Sequence, residues 1–320
     1  MPMKLLIPQR ICAAIEPTIR AVAADATIVP LDDDGTPGAD PIGAEVLLRW
    51  WTPVSVMRRS LLEVPGIRWV HTPSAGVDHL LIPELVERGV LLTNSAGATA
   101  IPIAEFTLMF MLNHAKRAIA LTRPDPALWQ RADDASLLEL AGRTVTILGF
   151  GQIGREIAQR CTAFGMRVLA VRRHPRPDSA VERVVGVADW HAILPETDYL
   201  VIALPLTDAT RGMVDAAALA QVRRGAYLIN IARGAIVDTD ALLAALHDGR
   251  LSGAGLDALP EEPLPDAHPL WRAPNVTITP HIAYSSPHTR ERIFAIFGEN
   301  LRRFRAGEPL RNVVDLAAGY

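Results

Sequence analysis

In the second half of the chain, three β-rich runs end in side chains of complementary chemistry. Ile229-Asn-Ile-Ala-Arg-Gly234 delivers Arg233, Gly255-Leu-Asp-Ala-Leu-Pro-Glu-Glu-Pro263 delivers Glu261 and Glu262, and Thr277-Ile-Thr-Pro-His281 delivers His281. In an open parallel sheet, ligands bind at the carboxyl edge of the strands. One edge therefore gathers a guanidinium, a carboxylate and an imidazole. These are the parts needed to reduce a carbonyl that stands beside a carboxylate: a cation for the acid, a proton donor, and an anion to orient that donor.

Upstream, the β-branched strand Thr144–Leu148 runs into Gly149-Phe-Gly151-Gln152-Ile153-Gly154, and a helical pattern follows. In a dinucleotide-binding turn the first glycine makes the tight bend and the second lets backbone approach a pyrophosphate. The third lets helix pack on strand, and the helix N-terminus offers free N–H groups to the phosphates. The residue that meets the adenosine ribose is expected ~20 residues further on, at the end of the next strand. That strand, Arg167–Val171, is followed by Arg172, Arg173, His174, Pro175 and Arg176, with no carboxylate among them. A guanidinium cluster suits a 2′-phosphate through charge-assisted bonds. NADP(H) is thus the expected cofactor and NAD(H) a possible one; a solvated basic loop is the other reading.

The elements that position these residues alternate along the chain. Strands are expected at Lys4–Pro8, Glu45–Trp50, Ile67–His71 and Val90–Thr93, then at Thr144–Leu148, Arg167–Val171, Asp198–Ala203, Ala226–Ile231, Gly253–Asp257 and Val276–Thr279. Helical patterns fall between them, among them a long one from Ile103 to about Leu121 and a last one over Ser286–Arg305. This order implies an α/β fold with parallel sheets.

Length and composition agree. The 320 residues are 49% hydrophobic and 21% charged, which excludes a disordered chain, a coiled coil or a collagen-like repeat. A formal charge of −3 leaves no general basic field, so no nucleic-acid partner is expected. The most apolar stretch, Ile101–Leu112, is broken by Pro102 and Glu105 and is too short for a bilayer, so no membrane role and a cytoplasmic location are expected. Two cysteines, Cys12 and Cys161, cannot build a disulfide framework, and the histidines lack metal-ligand spacing, so no metal is expected. Cys161 falls on an apolar helix stripe and reads as a buried thiol.

Together these segments resemble the D-isomer-specific 2-hydroxyacid dehydrogenases, and the likeness runs through nearly the whole chain. Further segments that carry it are Ser74-Ala-Gly-Val-Asp78, Asn94-Ser-Ala-Gly97 leading to Ala104-Glu105, Leu204-Pro-Leu-Thr207 with Thr210, His268-Pro-Leu-Trp271 and Pro280-His281. The resemblance implies two Rossmann-like or flavodoxin-like lobes, the cofactor lobe (99–283) inserted into a substrate lobe (1–98 and 284–320). It implies that Arg233 grips the substrate carboxylate and carbonyl, that His281 is the acid–base group, and that Glu262, directly before Pro263, holds the ring. Ser74, Ala75, Gly76 and Val77 would offer backbone N–H groups to the carboxylate. Asp257, Ile231, Arg233, His281 and Ala283 would border the nicotinamide, and Pro205, Thr207 and Thr210 the adenine and phosphate end.

Where family members often carry Asp, this chain has Arg172, like the NADP-preferring members. Where two glycines often follow the His and one residue, it has Ala283-Tyr284. The implied activity is reduction of a small 2-oxo acid, glyoxylate or hydroxypyruvate being the leading candidates, to the D-2-hydroxy acid. The segment Ile103–Leu138, with Trp129 in a Pro-flanked arm, implies a homodimer. The rival from another class is a dinucleotide-sensing, corepressor-like protein with little turnover; such a sensor needs the glycine loop but not an acid–base pair. Oxidation of a small inorganic or one-carbon acid is a second rival; by the resemblance, Glu262 beside Pro263 favours the hydroxyacid members over formate oxidation, where the family relative carries Gln as the His partner.

Overall fold

The computed structural model describes residues 2–122 and 137–320, so Trp129 and its expected arm lie outside the described residues. The chain forms two compact units. One is discontinuous, Met1–Thr99 with Ser286–Tyr320, and the other is Ala100–Ser285.

The discontinuous unit holds strands β1 (Lys4–Pro8), β2 (Thr27–Leu31), β3 (Ala44–Leu48), β4 (Trp69–His71) and β5 (Leu91–Thr93). They are parallel throughout, in the order β2-β1-β3-β4-β5. β2 is absent from the expected set because Pro30 breaks its β pattern. Pro lacks the N–H a central strand needs, and the sheet meets this by placing β2 at its edge. The helix Gln9–Val22 buries Ile11, Ile15 and Ile19, one face at four-residue spacing. The helix Thr289–Ala306 returns to this unit and sends Ile293, Phe294, Phe297 and Leu301 into the core around Leu5, Ile15 and Trp69. The Trp69 and Phe297 rings stack with centroids 5.3 Å apart.

The continuous unit holds β6 (Thr144–Leu148), β7 (Arg167–Val171), β8 (Arg183–Val185), β9 (Tyr199–Ile202), β10 (Ala226–Asn230), β11 (Leu251–Leu256) and β12 (Val276–Ile278). Their order is β12-β11-β10-β9-β6-β7-β8, and every pairing is parallel. Strand order reverses at β6, which makes its carboxyl end a topological switch point, the usual crevice for a ligand. β8, an edge strand of three residues opened by Arg183, has too little apolar pattern to be read from sequence.

The long helix expected over Ile103–Leu121 is interrupted. It runs Ala100–Lys116, Arg117 turns left-handed at φ 49°, and a single turn follows at Ala118–Leu121. Residue 138 occupies the end of the first segment: Leu138 N donates to Ala115 O, and Lys116 Nζ donates to Leu138 O. The first bond satisfies a carbonyl at the helix terminus, and the second ties residue 138 to the last helical side chain.

Candidate active site

The glycine turn is built as its spacing requires. Gly149 has φ 102°, and a Cβ there would sit 2.5 Å from the carbonyl oxygen of Ala203. At Gly154 a Cβ would meet the carbonyl oxygen of Gly149, also at 2.5 Å, so strand and helix close on each other only through glycine. Around Gly151, by contrast, no atom lies within 4 Å of that position. Gly151 caps the helix Gln152–Ala163, and no side chain bonds to the cap. A bare, uncapped helix N-terminus at the sheet's switch point fits a dinucleotide pyrophosphate.

At the end of β7, Arg172 is tied to β8 by its backbone N–H to Val185 O at 3.1 Å. Its Nη1 is buried and has no hydrogen-bond partner among the described residues. A donor in that state has capacity for an anion. Nearby, Arg155 lies over the Phe150 ring and pairs with Asp178 at 2.5 Å. The hydrogen bond from Arg155 holds the Asp178 carboxyl below its ordinary range. A bond from the Ala180 N–H and the charges of Arg155 and Arg172 add to this. Asp178 therefore belongs to this basic corner. It escaped the sequence reading because it lies beyond the Arg172–Arg176 window, across two prolines. On the far side of the switch point, Thr210 Oγ1 accepts from Thr207 N and donates to Pro205 O. These bonds fix the turn after β9.

β10 ends in a staple. Asn230 Oδ1 accepts from Ala232 N at 3.0 Å and Asn230 Nδ2 donates to Arg233 O at 2.9 Å, which sets the course of the loop that carries Arg233. At the next residue, Gly234, a Cβ would fall 2.0 Å from the carbonyl carbon of Leu259. The Arg233 loop and the loop after β11 are thus in backbone contact. Leu259 N then donates to Glu262 Oε1 at 2.9 Å, and Glu262 Oε2 meets His281 Nδ1 at 2.8 Å. The chain of contacts runs from Arg233 through Gly234, Leu259 and Glu262 to His281.

The carboxylate on Nδ1 fixes the tautomer, so Nε2 is the ring nitrogen left for chemistry. His281 itself has φ 51°, an uncommon conformation for a side chain with a Cβ. Asp257 holds it there. Only 2% exposed, Asp257 accepts from Thr279 Oγ1 (2.6 Å), Ile282 N (2.8 Å) and Ala283 N (3.0 Å), which brackets His281 on both sides. The bonds of Asp257 are to the His281 loop, next to where the resemblance puts the nicotinamide. Ala283 is buried, Tyr284 is exposed, and Ile231 N reaches Ile202 O at 3.4 Å. The Asn230 staple and the Gly234 contact went unread because neither residue type signals chemistry by itself.

Within the discontinuous unit, the loop Ser74–Val77 follows β4. Ser95 N holds Ser74 O, and Asn94 Nδ2 holds Ala75 O. The amides of Ala75, Gly76 and Val77 donate to no group among the described residues. Of the two tryptophans expected to end a strand here, Trp50 packs on Phe294 with centroids 5.3 Å apart. The strand stops at Leu48, so both tryptophans lie beyond it, Trp51 at φ 55°. Cys161 is buried in the other unit, which pushes its thiol up to about 12.

A parallel α/β unit with a glycine-lined switch point and an Arg, Glu and His on the same sheet edge defines a dinucleotide-dependent oxidoreductase. Residues 108–283 match the family described as D-isomer specific 2-hydroxyacid dehydrogenase, NAD binding domain. A glyoxylate reductase of Korarchaeum cryptofilum is 34% identical over 280 residues, covering 86% of this chain and 80% of the relative. A glyoxylate/hydroxypyruvate reductase B of Yersinia enterocolitica is 35% identical over 261 residues, covering 80% and 79%.

Among solved structures, a D-isomer specific 2-hydroxyacid dehydrogenase from Xanthobacter autotrophicus in complex with NADPH and MES superposes with a TM-score of 0.85. It is 30% identical and covers 100% of this chain and 99% of its own. An NADPH-dependent glyoxylate/hydroxypyruvate reductase from Sinorhizobium meliloti in complex with NADP and sulfate gives 0.83 at 30% identity, with both chains fully covered. The chain belongs to the D-isomer-specific 2-hydroxyacid dehydrogenase family, and its general activity is the NAD(P)-dependent reduction of a 2-oxo acid. Among the described residues no helix is long and apolar enough to cross a membrane.

Proposed function

We propose that the protein is an NADPH-preferring reductase of a small 2-oxo acid, taking glyoxylate to glycolate or hydroxypyruvate to the D-2-hydroxy acid. The observation that carries this reading is the His281 Nδ1–Glu262 Oε2 contact at 2.8 Å, in one loop network with Arg233. The continuous unit serves as the cofactor domain and the discontinuous one as the substrate domain. When bound, the reduced nicotinamide supplies the hydride. Arg233 holds the substrate carboxylate and polarises the carbonyl, and the amides of Ala75, Gly76 and Val77 receive the carboxylate. Nε2 of His281 gives its proton to the oxygen as charge develops there, and Glu262 stabilises the imidazolium that serves as donor. A sensor of dinucleotides has no use for this pair, which favours the enzyme over the corepressor-like alternative.

Arg172 supports the NADPH preference. Hydrogen bonds to charged groups are worth ~1.5–3 kcal/mol each, so NADPH is expected to exceed NADH in kcat/KM by at least about tenfold. The test is a panel of 2-oxo acids assayed with each cofactor by near-ultraviolet absorbance, in the parent and in Arg172→Asp. Turnover of no 2-oxo acid refutes the reductase reading. Equal use of both cofactors by the parent reduces the basic corner to a solvated surface. Sequence likeness of Ile103–Leu138 to a dimer-forming segment further supports a two-fold homodimer; light scattering that gives a monomer mass at micromolar concentration contradicts it.

A further inference from the structure

Arg49 follows β3 by one residue, at the carboxyl edge of the first sheet, next to the strand that ends in the Ser74–Val77 loop. Its backbone N–H donates to His71 O, and the residue is 5% exposed. Nε is buried with no partner, and Nη1 makes one long bond, 3.4 Å to Thr72 Oγ1. No carboxylate pairs with this guanidinium among the described residues. Burial alone pulls it down to about 10, so it remains charged at neutral pH.

A desolvated, unpaired cation is a liability that a fold removes unless something compensates it. Thr72 Oγ1 also bonds Ser74 Oγ at 3.0 Å, so the guanidinium is linked through one hydroxyl to the first residue of the loop whose amides lack acceptors. A buried cation with spare donors and a run of spare N–H groups therefore sit side by side. Both lack the same thing, an anion.

We propose that Arg49 is a specificity-determining residue of the 2-oxo acid reductase: it supplies the positive charge of the Ser74–Val77 loop, so that this loop takes a carboxylate and rejects its neutral analogues. Backbone N–H groups alone carry only partial charges and would accept an amide or ester oxygen nearly as well as a carboxylate. The fixed guanidinium adds a full charge in a poorly solvated place, where it discriminates most. The inference rests on the reductase reading for its substrate, and on the geometry of this unit alone for its anion.

The test uses Arg49→Met, which keeps most of the volume and removes the charge, and Arg49→Lys, which keeps the charge. Oxalate, a planar mimic of a 2-oxo acid, is titrated by calorimetry into the full-length protein saturated with NADPH; this needs no turnover. Arg49→Met is expected to weaken oxalate at least tenfold and to raise KM for the 2-oxo acid by a similar factor. Its kcat is expected within about threefold of the parent, with NADPH affinity unchanged and the thermal midpoint unchanged or higher. Arg49→Lys is expected to recover much of the oxalate affinity.

Unchanged oxalate affinity in Arg49→Met overturns the proposal, as does a fall in kcat with oxalate binding intact. A lowered thermal midpoint with normal KM makes the guanidinium a structural group and also overturns it. Should Arg49→Met fail to fold, Arg49→Gln is read in the same way, and failure of both assigns Arg49 to stability instead. If the parent reduces no 2-oxo acid but binds oxalate through Arg49, the anion site stands and the substrate reading falls.

Discussion

His71 ties the stability of the discontinuous unit to pH. The ring is fully buried against Trp69 and Phe297; Thr93 Oγ1 lies 2.7 Å from Nδ1 and Ser95 Oγ 3.0 Å from Nε2. Ser95 Oγ donates to Thr72 O, so it is placed to accept from Nε2–H. Trp69 Nε1 donates to Thr93 Oγ1, which leaves the Thr93 proton for Nδ1. The neutral ring is therefore satisfied on both sides. Burial pulls this histidine from 6.5 down to about 3.

Folded-state depression means that the unfolded chain binds more protons between these values, so stability rises with pH across that window. The contribution is complete above about pH 6.5 and is lost progressively as pH falls towards 3. From pH 7 to pH 5 the loss due to this one ring is about 2 kcal/mol; over the whole window it approaches about 5 kcal/mol. The assay is urea unfolding at both pH values for the parent and for His71→Gln, which can hydrogen-bond but does not titrate. The difference of differences isolates the ring from every other group, including the half-buried His114 of the other unit, which burial pulls down to about 4. His71→Gln is expected to lose about 2 kcal/mol less than the parent between pH 7 and pH 5. An equal loss in both proteins refutes the reasoning.

Two further outcomes follow from the active-site network. His281→Ala is expected to lower turnover roughly 10²–10⁴-fold, the range for a positioned acid–base group, with NADPH affinity near that of the parent; steady-state rates and a fluorescence titration check both, and near-normal turnover removes His281 from the chemistry. Gly234→Ala forces the Leu259–Pro260 backbone away and with it the bond that seats Glu262. Turnover is expected to fall about 10²-fold, as for a misplacement near 1 Å, and stability by ~1–3 kcal/mol. Activity and a melting curve settle it, and an unperturbed enzyme shows that the two loops can move apart freely.

Much of the site was legible because a parallel sheet collects what its strands carry at one edge. Arg233, Glu262 and His281 are far apart in sequence, yet each follows a strand, and β10, β11 and β12 lie side by side. The glycine turn was legible for a steric reason: each glycine has a distinct spatial demand, and the spacing of the three records it. Edge strands were harder. β2 contains Pro30, which an edge strand tolerates because one of its sides needs no partner, and β8 is only three residues long. Arg117 ended a helix whose apolar pattern continued, since the cause lies in bonds from residue 138. Arg49 and Asp178 were invisible as functional groups for a common reason. A charged side chain in sequence looks solvated, and only the fold shows which one is withdrawn from solvent and what it pairs with or lacks.

The split of one unit around the other has a consequence for synthesis. The continuous unit, Ala100–Ser285, can complete its fold as soon as it leaves the ribosome. The earlier unit must wait, because Phe294, Phe297 and Leu301, which close its core, are made last. Until then the sheet that bears Trp69 lacks the helix that covers one face, so a nascent chain carries open apolar surface for nearly the whole of translation. A chain that ends after Ser285 but before the helix that starts at Thr289 therefore has one finished unit and one adhesive one, a natural client for chaperones.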